Sequence, residues 1–325
     1  MRFAIIGCGL IGEKRARALG TYSLVAAADP LPERAEAVAR LGTNAQPLGD
    51  WRQAVALSEV DAVVVATPNN LLAEVTRSAI EAGKHVLVEK PAARTVAELD
   101  PVIEAARRKQ VCVMVGLNHR RHAAMQKARA IFESGALGPL MFLRGRYGHG
   151  GRPGYDREWR ANPELSGGGE LTDQGVHLID LARWFLGDFP SVEGFADTYY
   201  WDMQVDDNAF LLLRTAGGET ASLHVSCTEW KNLFSLEIYG RDGKLHLEGL
   251  GGSYGVERLS YYRMLPQMGP PETTIWEYPQ PDVSWSREIE HLAECVTTGR
   301  PASPGLDDMR AALEIVERIY RKSRK

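Results

Sequence analysis

The feature that most constrains this chain is its opening. Phe3-Ala4-Ile5-Ile6 is a short apolar run, followed at once by Gly7-Cys8-Gly9-Leu10-Ile11-Gly12 and a helical stretch from Glu13 to Leu19. A strand that breaks into three spaced glycines and then a helix has few folded solutions. One glycine makes the tight turn, one lets the backbone approach a pyrophosphate, and one lets helix pack on strand. The helix N-terminus adds free N–H groups and a partial positive charge for that pyrophosphate. Gly7, Gly9, Leu10, Ile11 and Gly12 are therefore expected to hold a dinucleotide.

The same alternation continues. Leu24 to Ala28 reads as a second strand, ended by Asp29, 17 residues after Gly12. A carboxylate there can accept hydrogen bonds from the adenosine ribose and repels a 2′-phosphate. Two unit charges about 4 Å apart cost roughly 4 kcal/mol at an effective dielectric of 20. Asp29 thus favours NAD over NADP, with Arg34 expected on the solvent side of the next helix. Asp50 can cap a short helix through Leu57, and Ala62 to Ala66 is an all-apolar strand followed by Thr67-Pro68-Asn69. A helix from about Leu71 to Ala82 stops at Gly83.

Next comes His85-Val86-Leu87-Val88-Glu89-Lys90-Pro91, a covered strand ending abruptly in two opposite charges and a proline. Ligands of open α/β sheets sit outside the carboxyl ends of such strands. Thr67, Pro68, Asn69, Glu89 and Lys90 are therefore placed on the cofactor side. Lys90 is either a solvated strand-end charge or one aimed into a cleft. Pairing with Glu89 is disfavoured, because adjacent strand residues point to opposite faces. Thr95 and Glu98 form a capping-box pair, and Pro101 predicts a kink or restart at Asp100. Val111 to Val115 closes a doubly wound parallel sheet, giving a dinucleotide-binding domain over 1–118.

From 119 to 325 the pattern changes to a substrate-binding and oligomerisation domain. Arg120 to Glu133 reads as helix and Leu140 to Tyr147 as strand. The long stretch from Gly148 to Gly169 is rich in glycine, arginine and aromatics, and loops of that length are usually functional. Leu171 to Leu186 reads as one amphipathic helix stopped by Gly187. Strands follow at Asn208–Arg214, Thr220–Thr228, Phe234–Tyr239 and Lys244–Glu248. Gly217-Gly218 and Asp242-Gly243 turn them into antiparallel hairpins. Their alternation of apolar and polar residues leaves one face of the sheet open. Two helices, about Trp285–Thr297 and Asp307–Arg321, end the chain.

Composition excludes several classes of function. The 325 residues are 44% hydrophobic and 25% charged with a net charge of -4, so no global basic field serves nucleic acid or an anionic membrane. No apolar run approaches the roughly 20 residues that span a bilayer. The first twelve residues have no basic leader or cleavage site, against a signal peptide. Cys8, Cys112, Cys227 and Cys295 are scattered without metal-type pairing, so no metal is expected. They read as free thiols of a cytoplasmic protein.

The chemistry concentrates on the helix after the glycine run. Asp173 and His177 are four residues apart and so expected on one face. A carboxylate beside an imidazole raises its pKa and fixes its tautomer, as a general base near neutral pH needs. Asp180, three residues after His177, competes with Asp173 as partner. The long loop offers Arg152, Arg157, Trp159 and Arg160, with Arg146 just before it, for an anionic group or a stacked sugar ring. Asp156, Glu158 and Glu164 lie among them, so surface ion pairs explain those charges nearly as well.

These segments together resemble the Gfo/Idh/MocA family of sugar-type dehydrogenases (glucose–fructose oxidoreductase and inositol 2-dehydrogenase) across nearly the full length. The likeness lies in Gly7 to Gly12, Thr67-Pro68-Asn69, Ala82 to Pro91 and Gly167-Gly168-Gly169-Glu170-Leu171-Thr172-Asp173-Gln174-Gly175-Val176-His177. The resemblance implies Lys90, Asp173 and His177 as the catalytic group, with Asn118, Arg120 and Gln174 lining the substrate side. It implies NAD(P)-dependent hydride transfer on a sugar, cyclitol or nucleotide-linked sugar, and a homo-oligomer (dimer or tetramer) joined by the open sheet face. Leu72 departs from the histidine that many relatives carry, and the twin-arginine leader of periplasmic relatives is absent. Some relatives are non-redox glycosidases or epimerases, or dinucleotide-binding regulators, and these remain the alternative readings.

Overall fold

The computed structural model describes residues 1–267 and 269–323. The chain divides into two compact units, each described by itself. The first comprises Met1–Leu117, Glu164–Gly167 and Trp285–Leu313, and the second the remainder.

The first unit contains a six-stranded sheet: β1 (Arg2–Ile6), β2 (Ser23–Ala28), β3 (Gln46–Leu48), β4 (Ala62–Val65), β5 (His85–Glu89) and β6 (Val113–Gly116). Its order is β3-β2-β1-β4-β5-β6 and every pairing is parallel. β1, β4 and β6 read as near-continuous apolar runs because helices cover both faces. The strand order reverses between β1 and β4, which is where such sheets bind ligands.

The predicted strands and helices of this half are present, with the short strand β3 added and the last strand shifted to Val113–Gly116. The helix expected from Leu71 begins two residues earlier, spanning Asn69–Glu81 behind Pro68. The helix Val96–Lys109 is one element with Pro101 inside it, so of the expected kink or restart at Asp100 the restart does not occur. Thr95 caps it by accepting from the Glu98 N–H at 3.2 Å, but the Glu98 carboxylate takes the Arg94 N–H at 3.0 Å instead of completing the box on Thr95. The boundary differs as well. The expected single cut at 118 becomes discontinuous, because Trp285–Leu313 belongs to this unit. The helix Ser284–Thr298 buries Ile289 and Leu292 against Phe3, Ile5, Leu87 and Met114, a packing that spans the whole sequence.

In the second unit an eight-stranded sheet is built from β7 (Leu140–Gly148), β8 (Ser191–Asp197), β9 (Asn208–Arg214), β10 (Thr220–Ser226), β11 (Leu233–Gly240), β12 (Gly243–Glu248), β13 (Glu257–Arg263) and β14 (Glu272–Tyr278). Its order is β14-β13-β12-β11-β7-β10-β9-β8. The two predicted hairpins are antiparallel as expected. β7, however, lies between them and pairs parallel with β10, and β13 and β14 extend the sheet beyond what the sequence suggested. β7 alternates as a half-buried strand must: Leu143, Gly145 and Tyr147 face inward, while Phe142, Arg144 and Arg146 face out. The outward face is open, with Phe195, Phe210, Leu212 and Ile275 exposed on it.

Candidate active site

In the first unit the backbone does most of the shaping. The helix Leu10–Arg17 starts directly after Gly9, with no side chain capping it, so its first N–H groups are left for a ligand. Gly7 has φ +88, and a Cβ on it would lie 2.5 Å from the Ala66 carbonyl oxygen. A Cβ on Gly12 would lie 1.9 Å from the Gly7 carbonyl oxygen, whereas one on Gly9 would meet nothing within 4 Å. Two glycines are therefore required by packing, and the third faces open space where a pyrophosphate can approach.

Asp29, at the end of β2, is 7% exposed and accepts from the Cys8 N–H at 2.8 Å and the Leu31 N–H at 3.0 Å. The carboxylate thus ties the glycine turn to the strand end. Burial, with the Asp29 charge adding, pushes the Cys8 thiol up to about 12, so it stays protonated. Arg34 is exposed, as expected. The Thr67 hydroxyl is buried with no hydrogen-bond partner. An open glycine, an uncapped helix start, a strand-end carboxylate and an unsatisfied hydroxyl fit an NAD molecule.

Two side chains expected on the cofactor side are committed elsewhere. Asn69 donates to the Ser166 carbonyl at 2.8 Å. Glu89 turns into the core, where it accepts from Arg15 Nε at 2.7 Å, and Arg15 also pairs with Glu288 at 2.5 Å. The reason is the strand alternation itself, which sends Glu89 and Lys90 to opposite sides. Lys90 is half-buried at the end of β5, where a cis Lys90–Pro91 peptide leads into a turn closed by the Ala92 N–H on the Glu89 carbonyl.

In the second unit the segment expected to be one helix has two parts. Leu171–Gly175 is a π-helical turn and Val176–Leu186 an α-helix. The α-helical spacing argument for Asp173 and His177 therefore needs correction, since Asp173 sits in the wider turn. Such turns occur mostly at functional sites. This one is anchored from outside. The Asp206 carboxylate accepts from the Gly169 N–H at 3.0 Å, the Leu171 N–H at 2.8 Å and the Tyr320 hydroxyl at 2.6 Å. Burial raises the Asp206 pKa to about 6 against those donors.

His177 is 5% exposed and stacks on His119, with ring centroids 3.9 Å apart and an interplanar angle of 24°. Tyr147 meets His119 edge-on at 5.0 Å and His177 at 6.1 Å. Burial drives the Tyr147 hydroxyl pKa well up, with Tyr254, Asp173 and Glu170 adding to it, so it remains a donor. Asp173 is half-buried, with Arg160 Nε 3.5 Å from its carboxylate. Asp180, the expected competitor for His177, accepts from Arg120 through both oxygens at 2.7 and 2.5 Å.

The remaining predicted residues separate by surroundings. Gln174 lies beside Asp173 in the π turn. Trp159 lies under the Arg160 guanidinium at 4.7 Å, so Trp159, Arg160, Asp173 and Gln174 come together. Asn118 is buried and donates to Ser284 Oγ at 2.9 Å, and Arg120 is buried against Asp180 and Trp184. Arg152 pairs with Glu158 at 2.5 Å and Arg157 with Asp156 at 4.0 Å, in accord with the ion-pair reading of the loop. Arg146 is a correction: it pairs with Glu229 at 3.3 Å on the open face of the sheet, opposite to Tyr147 and His177.

Sequence reasoning missed His119, Tyr147 and the group around Glu170. Glu170 is 2% exposed, accepts from the Tyr155 hydroxyl at 2.7 Å and lies 3.5 Å from His149 Nε2. Burial works against a charged His149 ring, yet the Glu170 bond and the Asp173 charge raise its pKa. Tyr147 could have been found from the inward alternation of β7, but nothing local marks Glu170 as buried. Among the described residues no group of His, Cys, Asp and Glu is arranged to hold a metal ion. No described helix is long and apolar enough to cross a membrane.

Comparison with known proteins agrees with this layout. Residues 1–117 match the oxidoreductase family model with an NAD-binding Rossmann fold, and residues 125–246 match the GFO/IDH/MocA C-terminal domain. Levoglucosan dehydrogenase of Pseudarthrobacter phenanthrenivorans is 31% identical over 257 residues, 71% of this chain and 65% of that relative, so just under two thirds of its length is matched. Inositol 2-dehydrogenase 2 of Saccharopolyspora erythraea is 32% identical over 79% of this chain and 73% of that relative. A solved levoglucosan dehydrogenase in complex with NADH and levoglucosan superposes with a TM-score of 0.89 at 25% identity, covering 98% of this chain and 96% of that one.

Proposed function

The chain belongs to the Gfo/Idh/MocA family of oxidoreductases, and from that premise we propose that it transfers a hydride between NAD and a secondary alcohol or ketone carbon of a sugar, cyclitol or nucleotide-linked sugar. The observation that carries the proposal is His177, buried against His119 on the helix that continues the Asp173 turn.

NAD would be held by Gly7 to Gly12, Asp29 and Thr67, and when bound supplies the nicotinamide that accepts the hydride. Oxidising a secondary alcohol also removes a proton from oxygen, and His177 takes it. Asp173 holds the imidazole in place and compensates the charge it gains. The His119 stack limits that charge to one ring. Two protonated imidazoles 3.9 Å apart would repel by about 4 kcal/mol at an effective dielectric near 20. Lys90 stabilises the developing alkoxide. Trp159, Arg160 and Gln174 contact the substrate, while Asn118 and Arg120 hold the shape of the segment beside His119.

The exposed sheet face with Phe195, Phe210 and Leu212 supports a homo-oligomer formed through it. The four cysteines are free thiols, which fits a reducing compartment, the cytoplasm. A screen at the NADH absorbance band over sugars, cyclitols and nucleotide-linked sugars tests the whole reading. NADH accumulating with oxidised polyol is the expected result. Product without net NADH would mean transient redox chemistry, and NAD binding with no turnover of any substrate would mean a regulator.

A further inference from the structure

The second unit carries a group of aromatic side chains that the reaction above does not use. Tyr200 and Trp230 are 61% and 64% exposed, and Trp201 lies beside them. Single exposed aromatics are ordinary, but a contiguous cluster marks a binding surface. Tyr200 meets Trp230 edge-on at 4.7 Å and 83°, and Trp201 at 5.1 Å and 88°.

The chain fixes these rings in place. Asp207, fully buried, gathers the N–H groups of Tyr199, Tyr200 and Trp201 at 2.9, 2.7 and 3.0 Å. The Trp201 indole N–H donates to the Cys227 carbonyl at 3.1 Å. Trp230 has φ +54, a left-handed conformation that a bulky residue adopts only when its surroundings hold it there. An aromatic surface that is wet yet ordered in advance is suited to a ligand with apolar faces and polar edges.

Position adds the second argument. Trp201 packs on Tyr155 at 5.7 Å, and the Tyr155 hydroxyl donates to Glu170, which precedes Asp173 by three residues. A Cβ on Gly151 would lie 2.5 Å from the Trp201 ring, so the loop bearing Trp159 and Arg160 fits closely against the cluster.

We propose that Tyr200, Trp201 and Trp230 form a subsite for a second sugar ring, so that the preferred substrate is a glycoside or disaccharide oxidised on one ring while the other lies on the aromatic cluster. This rests on the oxidoreductase reading above for its reaction, but not for its binding. C–H groups on the face of a pyranose pack against an aromatic ring, while its hydroxyls keep contact with water and with the phenol and indole edges.

The test pairs substrates. kcat/KM is measured with NAD for glucose and for cellobiose, and for other monosaccharides with their methyl glycosides and disaccharides. The disaccharide is expected to be favoured by about tenfold or more, and Trp230→Ala to lower that ratio by about tenfold. Trp230→Tyr should keep most of the preference. Equal kcat/KM within every pair, or a ratio that Trp230→Ala leaves unchanged, overturns the subsite. Light scattering on the same variant gives a further rejection: a change in subunit number with an unchanged ratio would make the cluster an interface between copies. If no sugar is oxidised, the oxidoreductase reading fails separately. Tryptophan fluorescence then decides the subsite, by saturable quenching with cellobiose that Trp230→Ala abolishes, or by its absence.

Discussion

The two units make their sites from different materials. In the first, the atoms proposed to face the ligand are backbone: the uncapped helix start after Gly9 and the turn that Gly7 and Gly12 allow, which Asp29 ties to the strand end through the Cys8 N–H. In the second, they are side chains: Asp173 beside Arg160 on a π turn held by a carboxylate from another loop, and His177 against His119 on the α-helix that follows. A backbone site tolerates change at most side chains but fails wherever a Cβ cannot fit. The side-chain site has the reverse sensitivity: folding survives the loss of a functional group that turnover cannot spare.

A large effect on both binding and folding is expected where the first of these is broken. Gly12→Val places a side chain where even a Cβ would lie 1.9 Å from the Gly7 carbonyl oxygen. NAD affinity should fall by about a hundredfold or more and thermal stability with it, since a close-packed backbone contact has no room to relax. Calorimetric titration and a melting curve measure both. An unchanged NAD affinity would mean that the glycine turn is not the binding element.

Asp173→Asn tests the second unit. It keeps the shape of the turn and removes the charge, so kcat should drop about ten- to a hundredfold while NAD affinity stays within about twofold. A loss of NAD affinity larger than the loss of kcat would erase the distinction between the units. Asp29→Ser works in the other direction. The kcat/KM ratio of NAD to NADP should fall by about tenfold as the repulsion of a 2′-phosphate disappears, less than the bare Coulomb figure because water screens the site. A wild-type preference for NADP would remove the role given to Asp29.

How much of this was legible in the sequence follows the same division. Gly7, Gly9 and Gly12 could be read from their spacing between a strand and a helix, although packing requires only Gly7 and Gly12, and the strands around them are apolar runs that helices cover. The Asp173–His177 spacing was legible, but the π turn was not: its anchor, Asp206, lies 35 residues beyond Leu171 and forms a contact that no local pattern reveals. Arg146 was grouped with the loop arginines, although the inward Leu143-Gly145-Tyr147 register of β7 turns it to the outer face. β7 itself entered the sheet beside β10 in a parallel pairing that hairpin turns cannot predict. Asn69 and Glu89 stood at the right strand ends, but their partners Ser166 and Arg15 come from segments far away in the chain. The helix Ser284–Thr298 was legible as a helix and not as part of the first core, since Ile289 and Leu292 carry no mark of their destination.

A smaller effect sharpens the contrast on the open sheet face. Against the upward pull of burial, Lys244, Tyr239 and Arg144 lower the Glu237 pKa from 4.5 to about 2. Because the folded value is depressed, the stability it contributes is present above the unfolded value near 4.5 and is lost as pH falls from about 5 to about 2. Glu237→Gln should therefore lower the melting temperature by a few degrees at pH 7 and by much less at pH 3. Equal differences at both pH values would mean that the carboxylate is not held by its neighbours.

The account rests most directly on the turnover of His177→Ala under conditions where NAD binding is measured on the same sample. A general base contributes about two to four powers of ten, so kcat should fall by that range while NAD affinity and folding persist. The oxidation rate of the wild type should rise with pH through an ionisation at the His177 site, and that rise should vanish in the variant. Near-normal kcat in a folded, NAD-binding His177→Ala protein would contradict the account and leave His177 as a packing residue in its stack with His119.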